Sequence, residues 1–70
     1  MPSTAIADID YDLGREKLTV AFVTGRVYEY FNVPFDVAGA FERADSKGAF
    51  FNRHIRDHYR FREIVSDKIN

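Results

Sequence analysis

The chain has 70 residues and a mass of 8.1 kDa, which allows one domain and no second hydrophobic core. Apolar residues make up 46% of the sequence and charged residues 30%, and the formal net charge is −1, so we expect a folded domain. The absence of cysteine excludes disulfides, thiol catalysis and cysteine-based zinc sites. We therefore treat residues 1–70 as a single domain.

The sequence contains no segment that targets a membrane. No run approaches the roughly 20 apolar residues that a membrane-spanning helix needs, and residues 1–4 do not form a basic region followed by a long apolar stretch. These features predict a cytoplasmic protein without a membrane partner.

Apolar and polar residues alternate from residue 6 to residue 31, which predicts three strands. Glycines at Gly14 and Gly25 interrupt the pattern and permit the positive φ that tight turns need. The short connections indicate an antiparallel meander. The side chains expected on its apolar face are Ile9, Tyr11, Leu18, Val20, Phe22, Tyr28 and Tyr30.

The pattern changes to a helical period after Val33. Pro34 suits the start of a helix because its φ is fixed and it has no amide hydrogen. An apolar stripe then extends to about Ala44, and Asp45 or Ser46 is placed to cap a second helix, with Gly48 marking the break. The stripe of the first helix consists of Val37, Ala38, Phe41 and Ala44, and that of the second consists of Phe51, Ile55 and Tyr59.

The segment after Asp57 permits two interpretations, because residues 59–62 also alternate with a period of two. It is either a short strand or an extended tail. The predicted fold class is α+β, with a three-stranded antiparallel β-meander and two C-terminal helices packed on one face. In this arrangement Leu18, Val20, Phe22, Tyr28 and Tyr30 meet Phe41, Phe51 and Ile55.

An ordered set of motifs resembles the KTSC domain, a module of about this length found at the C-terminus of some lysyl-tRNA synthetases and as a stand-alone bacterial protein. The motifs are Leu18-x-Val20-x-Phe22, the Gly25 turn, Tyr28-Glu29-Tyr30, Val33-Pro34, Ala44-x-Ser46-x-Gly48, Phe51-Asn52, Ile55-Arg56 and Tyr59. The resemblance implies RNA binding, as suggested by the fusion to a synthetase.

Charge is unevenly distributed along the chain. Residues 1–46 carry four basic and eight acidic side chains, whereas residues 47–70 carry six basic and three acidic ones. On a regular helix, Arg53, Arg56 and Arg60 fall on one face, and a row of guanidinium groups is suited to phosphate. The alternative is a solvated helix face whose arginines pair with neighbouring carboxylates.

Two further groups permit both a functional and a structural interpretation. Tyr28 and Tyr30 share one face of a strand and form either a stacking platform for unpaired bases or a part of the core with hydroxyls at its rim. His54 and His58 supply half of a metal site or an acid–base pair for RNA cleavage, or they flank the packed face. The Asp8-x-Asp10-x-Asp12 run lacks the later residues of a calcium loop.

These observations predict a non-enzymatic binding module for RNA or another phosphate-rich partner, with no catalytic residue, cofactor or metal. The expected binding residues are Arg53, Arg56, Arg60, Lys47, Arg62, Tyr28 and Tyr30. The alternative is a module that binds a protein partner or itself, through partly exposed rings among Phe31, Phe35, Phe50 and Phe61. A monomer is the favoured state.

Overall fold

Four strands and two helices make up residues 5–65, the part of the chain described by the structure, which is a computed structural model. The elements are β1 (Ile6–Asp12), β2 (Lys17–Phe22), β3 (Val27–Tyr30), α1 (Phe35–Arg43), α2 (Lys47–Phe50) and β4 (Phe61–Ile64). A π-helical segment, Phe51–Ile55, continues α2 directly, and we call the two together the second helix. None of the helices in this range is both long and apolar enough to cross a bilayer.

The strands form one antiparallel sheet in the order β1-β2-β3-β4. The three predicted strands are confirmed, but the predicted three-stranded sheet with C-terminal helices is wrong. A fourth strand follows the helices and pairs with β3, placing Phe61 opposite Tyr30. Without β4 the backbone groups on one edge of β3 would lack hydrogen-bond partners. Of the two interpretations of the alternation at residues 59–62, the strand is therefore correct and the tail is not.

The core lies between the sheet and the helices. Side chains of β1, β2 and β3 alternate as predicted, and the register aligns Ile9, Val20 and Tyr28 on the face that meets the helices. The buried core consists of Leu18, Val20, Tyr30, Val33, Ala38, Phe41, Phe51 and Ile55, with Phe22 and Tyr28 packed against it. The predicted core is confirmed, and Val33 is an addition to it.

Two tight connections use left-handed backbone conformations. Gly25 has a φ of 98°, as predicted for the turn between β2 and β3. In the turn between β1 and β2 the left-handed residue is Glu16, with a φ of 53°, and not Gly14. The Glu16 carbonyl accepts a hydrogen bond of 3.0 Å from the Val33 amide, so this conformation ties the turn to the segment before α1.

Helix α1 begins directly after Pro34, as predicted. The Pro34 carbonyl accepts hydrogen bonds of 3.1 Å from the amides of Val37 and Ala38, which closes the first turn. The preceding Val33 carbonyl accepts a 2.6 Å hydrogen bond from the Tyr11 hydroxyl on β1. These contacts fix where the chain leaves the sheet and enters the helical layer.

The second helix begins after Ser46, whose Oγ accepts a 3.2 Å hydrogen bond from the Ala49 amide. The break between the helices therefore lies at residues 44–46 and not at Gly48, which is buried within α2. The helix ends at Ile55, earlier than predicted. Phe51 and Ile55 are buried as expected, whereas Tyr59 packs against the core from the turn that follows.

Candidate nucleic-acid interface

Three aromatic rings lie side by side on the helix-facing side of β3 and β4. The ring centres of Tyr28 and Tyr30 are 6.4 Å apart at an interplanar angle of 28°. Phe61 lies 5.7 Å from Tyr28 and 5.6 Å from Tyr30. Tyr30 is 4% exposed and Tyr28 is half-buried, whereas Phe61 remains 55% exposed. The row therefore leads from the core to the surface.

The second helix covers only part of this row. Its Phe51 ring meets Phe22 at 5.4 Å and Tyr30 at 5.6 Å, both edge to face. Because the helix ends at Ile55, the sheet beyond it stays uncovered and a cleft of about 560 Å³ opens there. We call it the aromatic cleft; its sides include Phe22, Tyr28, Tyr30, Phe51 and Phe61, with Arg26, Arg56 and Asp57 among its polar residues.

Arg56 enters the aromatic cleft from the end of the second helix. Its amide donates a 2.8 Å hydrogen bond to the Phe51 carbonyl, five residues back, which is the π-helical pattern. Its guanidinium donates to Asn52 Oδ1 at 3.3 Å and forms no salt bridge within residues 5–65. Arg56 therefore brings to the cleft a guanidinium that has no salt-bridge partner within residues 5–65.

Arg26 lines the cleft from the turn before β3. Its Nη1 lies 3.3 Å from Glu63 Oε2, and both side chains are substantially exposed to solvent. The pair links the two strands that carry the aromatic row, since Glu63 lies opposite Tyr28 in the sheet. An exposed pair of this kind is weak, so a stronger anion can compete for Arg26.

The Tyr30 hydroxyl supplies a hydrogen-bond donor to the same cleft. Burial raises the pKa of Tyr30 to about 12, with Tyr28 and Asp57 adding to the rise and Arg56 opposing it. Every fully buried side-chain oxygen in residues 5–65 has a hydrogen-bond partner. The Tyr30 hydroxyl makes no hydrogen bond in that range, so it is not fully buried and faces the cleft. It remains protonated at neutral pH.

The predicted arginine stripe does not form on one helix. Arg53 lies in the π-helical segment, Arg56 caps it, and Arg60 falls beyond it, where its carbonyl accepts a 2.9 Å hydrogen bond from Phe31. The stripe assumed the spacing of a regular α-helix, and a π-turn holds more residues. Of the three arginines, Arg56 alone lines the aromatic cleft.

Lys47 and Arg62 lie outside the aromatic cleft. Lys47 donates to the Ala44 carbonyl at 3.5 Å and lines a separate groove beside β1. Arg62 lies opposite Glu29 in the sheet, on the face away from the helices, and pairs with its carboxylate at 2.8 Å. Two charged residues counted in the basic C-terminal part, Asp67 and Lys68, lie outside the described residues.

The structure brings Tyr28, Tyr30 and Arg56 together, as the sequence analysis proposed for the binding surface, and adds Arg26, Asp57 and Phe61. The alternation of residues 59–62 was the available signal for Phe61. Arg26 directly precedes β3, the strand that carries the two tyrosines, so it lies at the end of the sheet where that strand begins.

The two histidines show no metal-binding arrangement. No group of three or more histidine, aspartate or glutamate side chains within residues 5–65 is placed to hold a metal ion. The His54 ring packs on Phe50, with ring centres 4.5 Å apart, and both line a shallow groove between the helices. His58 is exposed in the turn after the second helix.

Comparison with known proteins assigns the family. The family model for the KTSC domain matches residues 2–59. The chain belongs to the KTSC family. A crystal structure of a KTSC domain protein from Yersinia pestis is 33% identical, with a TM-score of 0.83, and covers 93% of this chain and 92% of that one. The predicted resemblance is thus confirmed.

Relatives of this KTSC chain differ greatly in length. A lysine–tRNA ligase of Nostoc punctiforme is 36% identical over 61 residues, which cover 87% of this chain and 11% of the ligase. A protein of Stutzerimonas stutzeri is 35% identical over 65 residues, covering 91% of this chain and 92% of that protein. The chain therefore spans about a tenth of the length of the ligase and nearly all of the smaller relative.

Proposed function

We propose that this KTSC chain is a non-enzymatic module that binds unpaired RNA in the aromatic cleft. A base stacks on the accessible rings of Tyr28 and Phe61, and the phosphates pair with Arg56 and Arg26. The observation that carries the proposal is the open aromatic row beside a guanidinium without a carboxylate partner. The proposal retains Tyr28, Tyr30 and Arg56 from the predicted site.

The physical chemistry of the cleft suits a single strand better than a duplex. Bases in a double helix stack on one another and present their edges, whereas an unpaired base offers its face to an aromatic ring. Each base–aromatic stack contributes about 1–3 kcal/mol. The volume of about 560 Å³ lies within the usual range for ligand sites.

One observation on the wider molecule supports an RNA ligand, and a second shows that long-range attraction would not drive its binding. Relatives include lysine–tRNA ligases, whose name states that they act on transfer RNA, although this chain covers only 11% of the Nostoc punctiforme enzyme. The formal net charge of −1 gives little long-range attraction to a polyanion. Binding must then come from local contacts, and the cleft is where rings and a guanidinium without a salt bridge in residues 5–65 coincide.

Titration of a fluorescently labelled, unstructured RNA oligonucleotide at low salt tests the proposal. Tyr28→Ala removes a stacking surface and should weaken binding about tenfold or more, whereas Tyr28→Phe keeps the ring and should bind nearly as well. Arg56→Ala should weaken binding severalfold without removing a core side chain. Thermal unfolding of each variant shows whether the domain remains folded.

The matched control is Arg15→Ala, which removes the same charge in the turn between β1 and β2, at the other end of the strands. Arg53→Ala and Arg60→Ala test the predicted stripe in the same assay. Equal affinity of Arg56→Ala and Arg15→Ala, or the largest losses at Arg53 and Arg60, would contradict the assignment to the cleft.

A second candidate function is protein binding at the free edge of β4. Within residues 5–65 this strand pairs with β3 alone; it carries the exposed Phe61 and Ile64, and the exposed Val65 follows it. An open edge with apolar side chains can accept a strand from a partner. The predicted exposure of Phe35 and Phe61 is confirmed, at 64% and 55%, and Phe31 and Phe50 are half-buried.

Sedimentation velocity over a range of concentrations separates self-association from a monomer. Ile64→Lys on the β4 edge should abolish any dimer formed through this edge, because the charge disfavours edge pairing. If the protein sediments as a monomer at all concentrations, it does not self-associate, and the partner would have to be a different protein. Affinity capture after nuclease treatment should then retain that protein.

A further inference from the structure

Asp57 is the acidic residue among the residues of 5–65 that line the aromatic cleft. The residue lies in the turn after the second helix, next to Arg56, and its side chain is exposed. It makes no hydrogen bond or salt bridge within residues 5–65, although Arg56 is its neighbour in the chain. Asp57 lines the same cleft as Tyr30, and its charge adds to the rise in the Tyr30 pKa that burial and Tyr28 cause.

A nucleobase in this cleft meets acceptors and donors together. Both oxygens of the Asp57 carboxylate accept hydrogen bonds, and the Tyr30 hydroxyl and the Arg56 guanidinium donate them. The Tyr28 and Phe61 rings offer a surface for the face of the base, and these polar groups line the same cleft. The cleft thus presents two neighbouring acceptors beside donors.

Guanine has the complementary edge. Its N1–H and N2 amino group are adjacent donors that match the two carboxylate oxygens, and its O6 next to them accepts. Adenine and cytosine each offer one amino group beside an acceptor, and uracil offers one N–H between two carbonyls, so none of them satisfies both oxygens. A carboxylate oxygen left without a donor, or an acceptor of the base placed against the carboxylate, costs binding.

We infer that the aromatic cleft selects guanine among unpaired bases, with Asp57 accepting from the N1–H and N2 amino group and with the Tyr30 hydroxyl donating to O6. This inference rests on the proposed function. One bidentate pair of this kind discriminates between bases by about tenfold or more. Asp57 is therefore the residue that determines specificity, and Tyr28 and Phe61 hold any base without distinction.

The test uses short uridine-rich RNA with a single central guanosine, adenosine, cytidine or inosine, together with the all-uridine strand. The guanosine strand should bind about tenfold more tightly than the other strands. Inosine lacks the N2 amino group, so the inosine strand should lose most of this gain. Asp57→Asn loses the paired acceptors and should bring all strands to similar affinity, while Asp45→Asn, at an exposed aspartate of the turn between the helices, should keep the preference.

The outcomes separate this inference from the proposed function. If all strands bind with equal affinity and Tyr28→Ala still lowers that affinity, guanine selection is wrong but the proposed RNA binding is not. A preference for cytosine, or a guanine preference that survives Asp57→Asn, would also overturn the role of Asp57. If no strand binds to the folded protein, the proposed function fails with it.

Discussion

Glu29 shows how a charged side chain can be part of the structure rather than of a binding site. It lies on the sheet face away from the helices, yet it is 7% exposed. Its carboxylate is held by Lys17 at 3.0 Å and by Arg62 at 2.8 Å. These hydrogen bonds, that of Lys17 first, lower the pKa of Glu29 below its usual value of 4.5. Arg62 thus stabilises the fold through its ion pair with Glu29, and it is not available to bind a phosphate.

The lowered pKa predicts how acid affects stability. A carboxyl that titrates lower in the folded state stabilises the fold at neutral pH, and this contribution is lost as the pH falls from about 4.5 through the folded pKa. Glu29→Gln should lower the free energy of unfolding by about 1 kcal/mol at neutral pH. The free energy of unfolding of this variant should also decrease less steeply as the pH falls below 4.5. Urea unfolding at stepwise lower pH measures both effects.

The control is Glu42→Gln, at an exposed carboxylate that forms no salt bridge within residues 5–65. Its free energy of unfolding should follow the unmodified protein across the same pH range. If Glu29→Gln and Glu42→Gln gave the same curve, the ion pairs of Glu29 would contribute nothing measurable to stability.

At the scale of the element, the second helix is short and irregular, so its first turn depends on its cap. Ser46 Oγ accepts the Ala49 amide at 3.2 Å, whereas Asp45, the other capping candidate, makes no hydrogen bond within the described part of the chain. Ser46→Ala should destabilise the domain by about 1 kcal/mol and Ser46→Asp should restore most of it. Asp45→Ala should be nearly neutral. Thermal unfolding of the three variants would contradict this order if Asp45→Ala were the most damaging.

The elements that the sequence predicts are those with a strong local period. Alternation predicts β1 to β3, and the stripe containing Ala38 and Phe41 predicts α1. The π-helical segment has no local signal in the sequence, since the same apolar spacing that buries Phe51 and Ile55 there also fits a regular α-helix. The stripe of Arg53, Arg56 and Arg60 was inferred from a regular helix and fails for this reason. The cleft itself could not be predicted, since it depends on where the second helix ends over the sheet.

At the scale of the whole molecule, a row of aspartates occupies the edge of the sheet opposite β4. Asp8, Asp10 and Asp12 lie along the edge strand β1, on the side opposite the core-facing Ile9 and Tyr11. Such an edge repels both a partner strand and a nucleic acid. The aromatic cleft opens beyond the second helix and against β4, and Arg26 and Arg56 are the cations among the residues that line it.

This arrangement predicts a weak dependence of RNA binding on salt. Each phosphate neutralised on a single strand contributes about −0.7 to the slope of log K against log salt concentration, so two cations give about −1.4. Arg56→Ala should reduce the slope to about −0.7, and Arg15→Ala should leave it unchanged. Titrations at several salt concentrations measure the slope directly. A slope near −4 would require about six phosphate contacts, which the cleft does not provide. The predicted residues outside the cleft, Arg53, Arg60, Lys47 and Arg62, would then have to bind the RNA.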